Sequence, residues 1–178
     1  MSHIALPDTD LPGIRGLMRF DPETAAPLSQ LAEVLLRRSE GLSRGERELI
    51  ATHVSTLNRC TFCATTHAAA ARHQLGDDAY LVDEVRADWR RAPVDAKLRA
   101  HLAIAERVQR GGRPADDADV REARARGATD AEIHDTVLIA AAFCMYNRYV
   151  DGLGTAAPAD PAAYDEMGAM LAAGGYVR

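Results

Sequence analysis

Helix-start signals recur along this chain with no strand pattern to compete with them, and that feature confines it to an all-helical fold. Asp21-Pro22-Glu23 sets a capping carboxylate before a proline at the first helical position. Asp160-Pro161 repeats the signal late in the chain. Ser43-Arg44-Gly45-Glu46 and Thr129-Asp130-Ala131-Glu132 are capping boxes, in which the hydroxyl and the carboxylate each satisfy one otherwise orphaned backbone N–H. Behind these starts, apolar residues fall at helical spacing: Leu28, Leu31, Ala32, Leu35 and Leu36, then Leu49, Ile50, Val54 and Leu57. The alternation a half-buried strand requires is missing, and aromatics make up only 5% of the residues.

The remaining segments extend the pattern. Asn58-Arg59 breaks the second helix and leaves Cys60 at the start of an alanine-rich third, which ends near Gly76 and whose small side chains permit close approach by a neighbouring helix or another subunit. A short helix is expected over 77–86 and another over 95–110, then a turn at Gly111-Gly112-Arg113-Pro114 and a polar helix over 116–126. The helix opened by Thr129 runs to about Val150 and is apolar all round, which marks it as central. The last helix ends at Gly174-Gly175. These signals describe an arm over residues 1–20 and a single helical domain over 21–178; 178 residues suffice for one core without staples.

A net charge of −5, with basic residues dispersed among acids, argues against nucleic-acid binding. No apolar run is long enough to span a membrane, and the opening residues lack the form of a signal peptide, so a cytoplasmic location is expected. Thiols are kept reduced there, so the chain's cysteines point to chemistry or metal binding before crosslinking.

Residues 60–67, Cys60-Thr61-Phe62-Cys63-Ala64-Thr65-Thr66-His67, carry that chemistry. At roughly 100° per residue, Cys60, Cys63 and His67 fall within about 60° of one another on a helix, and Cys63 and His67 are i,i+4 neighbours. The thiolate is the reactive form; the helix terminus favours its formation at Cys60, while His67 can serve Cys63 as base or counter-ion. A carboxylate from the preceding helix would orient the imidazole. Glu46 is engaged by its capping box, which leaves Glu48, on a polar stripe with Thr52 and Ser55. Zinc is an alternative, since Cys60, Cys63, His67 and Glu48 make a ligand set, but structural zinc usually joins two separated ligand pairs. Cys144 and His53 fit the core, and Arg148 and Asp151 could form an ion pair.

The order Glu48, eleven residues, Cys60-x-x-Cys63, three residues, His67 resembles the AhpD-like alkylhydroperoxidase branch of the carboxymuconolactone decarboxylase superfamily, in its peroxidase-related group. The likeness is densest over residues 41–76 and returns more weakly over 142–148. It implies an AhpD-like multi-helix fold with the dithiol at a helix N-terminus, and a homo-oligomer. It also implies a thiol-dependent peroxidase in which Cys63 attacks the hydroperoxide, Cys60 resolves it as a disulfide, and His67 and Glu48 relay protons. No cofactor or metal is then required, and an external dithiol or redox protein is the reductant. Phe62 stands where some members carry a histidine. The rival readings are a decarboxylase or lactone-processing enzyme, whose chemistry needs no dithiol, and a zinc- or redox-responsive assembly module.

Overall fold

The computed structural model describes residues 2–8, 11–111 and 117–177, and among these only helices, turns and loops occur, without a strand. The helices are α1 (Ile14–Phe20), α2 (Pro22–Arg37), α3 (Arg44–Leu57), α4 (Thr61–Leu75), α5 (Leu81–Asp88), α6 (Ala96–Gln109), α7 (Asp117–Ala125), α8 (Asp130–Gly152) and α9 (Pro161–Gly174), with a 3-10 turn at Gly76–Asp78. The chain is therefore all-α. Most of the turn expected after Gly111, and Asp116, lie outside the described residues. Within the stretch expected to be an arm, Ile14–Phe20 is α1.

The start signals act as chemistry requires. Asp21 accepts from the Glu23 and Thr24 amides, and Ser43 and Thr129 each close a reciprocal box with Glu46 and Glu132. α8 meets α1, α2, α3, α6 and α7, as a central helix should, but leaves Leu138 and Met145 exposed; α3 meets as many, α2, α4, α5, α6 and α8, and is buried more completely. Every residue from Arg47 to Ser55 is buried, polar and apolar alike. The polar stripe of Glu48, Thr52 and Ser55 therefore faces protein instead of water. Thr52 returns its hydroxyl to the Glu48 carbonyl at 2.8 Å, and Ser55 accepts from Asn147 of α8 at 3.1 Å. Periodicity marks a polar face; it cannot say what the face packs against.

The alanines of α4 serve a contact within the chain. α9 lies against this helix, and at Gly168 an added Cβ would stand 2.6 Å from the Ala69 Cβ. Small residues on both helices let the backbones approach, and this seats α9, with the residues that follow it, beside the start of α4.

Candidate active site

The junction between α3 and α4 fixes the dithiol. Arg59 adopts a left-handed φ of 60°, and the Cys60 N–H reaches back to the Ser55 carbonyl at 3.1 Å, ending α3 in a Schellman-type turn. Cys60 is the N-cap of α4, and its carbonyl accepts from the Ala64 amide at 2.8 Å. Cys63 lies in the first turn. Both thiols are free and buried in a small apolar cluster with Phe62, Val150, Tyr164 and Met167.

The two thiols are not equivalent. Cys60 is fully buried, and its side chain makes no cap hydrogen bond. Its hydrogen bond with Cys63, followed by desolvation, pushes its thiol well above the ordinary range. Against the helix-terminus argument for an acidic Cys60 stand its buried position and a neighbouring sulfur that favours the protonated form. Cys63, with His67, lines a cavity of about 570 Å³ whose walls are largely apolar, among them Ile14, Met18, Phe62, Phe143, Met167 and Val177. Cys60 is not part of that lining.

Glu48 stands behind His67. Its Oε2 is 2.8 Å from His67 Nδ1, and the carboxylate is buried on α3. Glu46 is held by its box, with Oε2 accepting from the Ser43 amide at 2.7 Å, so the choice between the two carboxylates agrees with the geometry. The Glu48 contact places the shared proton at Nδ1 and leaves Nε2 as the second working nitrogen of the ring. Phe143 meets the His67 ring edge to face at 4.6 Å, which holds its plane. Cys63 and His67 share no direct hydrogen bond among the described contacts, although both face the cavity. Nor do the described residues form any group of three or more His, Cys, Asp and Glu arranged to hold a metal ion.

The sequence reading missed Tyr176. Its hydroxyl donates to Glu48 Oε1 at 2.5 Å and lies 3.4 Å from His67 Nδ1, and its ring is nearly parallel to the imidazole, 8° between planes at 6.0 Å. Burial first, then the charge and hydrogen bond of Glu48, hold this phenol well above the ordinary tyrosine range, so it remains a donor. No spacing rule links residue 176 to residues 48–67; the packing of α9 on α4 makes the connection.

Other expectations resolve simply. His53 is a buried core histidine set edge-on to Trp89, and desolvation lowers its pKa to about 4. Cys144 is half-buried, with Asn58 Nδ2 at 3.6 Å from its sulfur. Arg148 donates to the Cys144 carbonyl at 2.8 Å in place of the suggested pair with Asp151. No described helix is long and apolar enough to cross a membrane.

Comparison with known proteins agrees with this architecture. Residues 22–107 match the carboxymuconolactone decarboxylase family. No curated protein matches the chain. A peroxidase-related protein of Ralstonia eutropha JMP134, described as an alkylhydroperoxidase AhpD core, superposes with a TM-score of 0.81 over 94% of this chain and 96% of its own, at 22% identity. A peroxidase-related protein of Silicibacter sp. TM1040 is 30% identical, with a TM-score of 0.77 over 86% of this chain and 78% of its own. An Agrobacterium tumefaciens protein of unknown function, provisionally named as the antioxidant defence protein AhpD, gives 0.69 at 25% identity over 81% of this chain and 97% of its own. With its sequence match centred on the dithiol helix and its helices arranged as in these proteins, the chain belongs to the AhpD-like carboxymuconolactone decarboxylase superfamily.

Proposed function

We propose that the protein is a thiol peroxidase that reduces organic hydroperoxides through a Cys60–Cys63 dithiol–disulfide cycle. The observation that carries this reading is the division of the dithiol. Cys63 opens with His67 on an apolar cavity, while Cys60 lies fully buried against it, outside the lining. A substrate in the cavity meets one sulfur, and the second is held in reserve.

In the cycle, His67 accepts the Cys63 proton, directly or through one water, while Glu48 stabilises the imidazolium. The Cys63 thiolate attacks the terminal peroxide oxygen. The O–O bond breaks, Cys63 becomes a sulfenic acid, and the departing alkoxide takes the proton from His67 and leaves as an alcohol. The Cys60 thiol then condenses with the sulfenic acid, giving a disulfide and one water. An external dithiol or redox protein returns the pair to its reduced state by thiol–disulfide exchange. Phe62 contributes an apolar wall where a second imidazole would otherwise sit, so the proton traffic falls to His67 alone. The names of the relatives, peroxidase-related and AhpD, point the same way.

Free thiols are titrated before and after one equivalent of cumene hydroperoxide. The wild type loses two thiols per chain and yields one alcohol. Cys63→Ser loses none, and Cys60→Ser retains a sulfenic acid on Cys63 that dimedone traps. Unchanged thiols in the wild type would reject the peroxidase reading, and a sulfenic acid on Cys60 in Cys63→Ser would exchange the roles of the sulfurs.

A further inference from the structure

We propose that Tyr176 is a positioning residue for the Glu48–His67 pair, donating its hydroxyl to one carboxylate oxygen so that the other faces His67 and the carboxylate's charge is shared. The proposal rests on the relay reading above, and it concerns a residue which neither the dithiol motif nor the family match over residues 22–107 includes.

The geometry is complete on both sides of the carboxylate. Oε1 receives the Tyr176 hydroxyl at 2.5 Å, and Oε2 lies 2.8 Å from His67 Nδ1. A buried carboxylate with one partner could turn about its terminal bond; with a donor on each oxygen its plane is fixed. The parallel Tyr176 ring and the perpendicular Phe143 ring confine the imidazole from two directions.

Tyr176 is itself held. Its backbone N–H donates to Glu33 Oε2 at 2.6 Å. Arg37, four residues along α2, pairs with Glu33 and donates to the Leu171 and Ala172 carbonyls at the end of α9, at 2.9 and 2.8 Å. Gly175 between them has φ 79°, and a Cβ there would lie 2.4 Å from Glu33 Oε2. The short segment after α9 is thus clamped to α2, and Tyr176 and Val177 on it wall the cavity. The charged and titratable groups around the phenol are Glu48 of α3, His67 of α4, and Glu33 and Arg37 of α2; from α8 the His67 ring meets Phe143.

Charge shared with Tyr176 is charge withheld from His67. Tyr176→Phe keeps the ring, which with Phe143 still holds the imidazole against Oε2, and removes only the hydroxyl; the whole carboxylate then bears on the imidazole, and the proton His67 takes from Cys63 is held more firmly. The test is the pH dependence of iodoacetamide alkylation at Cys63, resolved from the other cysteines by mass spectrometry on the full chain. This readout needs no peroxide, so it stands or falls separately from the peroxidase reading, which the hydroperoxide titration decides. Tyr176→Phe should lower the pH of half-maximal alkylation by about half a unit, roughly threefold in rate at a fixed pH below the midpoint. In a Glu48→Gln background the same change should do nothing. Arg37→Gln, which loosens the segment and keeps the tyrosine, should shift the midpoint the same way by less, and it decides the matter if Tyr176→Phe loses its helical circular dichroism. An unmoved or raised midpoint, or a shift that persists with Glu48→Gln, overturns the proposal.

Discussion

Arg47 and Glu48 are neighbours on α3, both charged and both buried, and they do opposite work. Arg47 faces the loop between α2 and α3. It donates to the Leu42, Leu35 and Glu40 carbonyls at 2.9, 2.9 and 2.8 Å and pairs with Asp135 of α8 at 2.8 Å. Its donors are taken up by fixed groups, and nothing there can exchange a proton with a ligand. Glu48 faces α4, and its chain of contacts ends at an imidazole beside a cavity. Burial of a charge therefore does not by itself mark a site. What separates the two is whether the network closes on itself or opens onto space a substrate can enter.

Substitutions should separate the two regions cleanly. The largest effect is expected at the open end: Cys63→Ser should abolish hydroperoxide consumption, at least about a thousandfold, while the buried hydroxyl costs only about 1–2 kcal/mol of unfolding free energy. Next comes the closed network. Arg47→Met should cost about 3–5 kcal/mol in denaturant unfolding, because three carbonyls and the Asp135 carboxylate lose a buried partner together. Asp135→Leu added to Arg47→Met should recover part of that loss. Glu48→Gln should cost about 10–100-fold in peroxide turnover and raise the pH of half-maximal Cys63 alkylation, with a smaller penalty in stability than Arg47→Met. A stability loss at Glu48→Gln as large as at Arg47→Met, with turnover intact, would erase the distinction and make both residues structural.

The sequence disclosed the Glu48 side more fully than the Arg47 side, for a physical reason. Cys60, Cys63 and His67 lie within one or two turns of a single helix, so period alone brings them to one face. Glu48 could be chosen because its rival, Glu46, was already spoken for by a capping box. Arg47 carries no such local signal, since its partners are backbone carbonyls and a residue on α8, and carbonyls have no signature in sequence. Tyr176 was unreadable for the same reason, being tied to Glu48 only through the packing of α9 on α4. The order of the thiols was half legible. The helix-terminus rule favours Cys60, but burial and the neighbouring sulfur, which oppose that preference, are tertiary quantities. The helices themselves are legible from their caps and stripes, while the depth of α3 is not, because it hides a buried polar face that hydropathy counts as exposed.

The smallest expected effect tests whether the closed region answers to acid as a structural network should. Glu132, at the start of α8, is penalised by burial, but Lys97 at 2.8 Å and the amide and hydroxyl of Thr129 outweigh that and hold its carboxyl down at about 2. Asp135, one turn on, is likewise desolvated, and Arg47, His134 and Arg38 bring it below its ordinary value. A carboxyl depressed in the folded state binds its proton more readily when unfolded, so it adds stability above its unfolded value and loses that contribution as pH falls through the folded one. For Glu132 the window runs from the ordinary 4.5 down to about 2. Lys97 has the opposite sign: its pKa is raised above 10.5, so its contribution is whole below that pH and fades at more alkaline values. Unfolding free energy measured in urea should thus hold level above about 6.5, begin to fall below it because buried His53 resists its proton down to about 4, and fall more steeply below about 4.5; in Glu132→Gln the decline below 4.5 should be shallower, from a lower plateau. A wild-type profile flat to pH 2, or an equally steep decline in Glu132→Gln, would show that these carboxylates are not held as their contacts imply. The closed network would then owe its stability to Arg47 and its carbonyls alone.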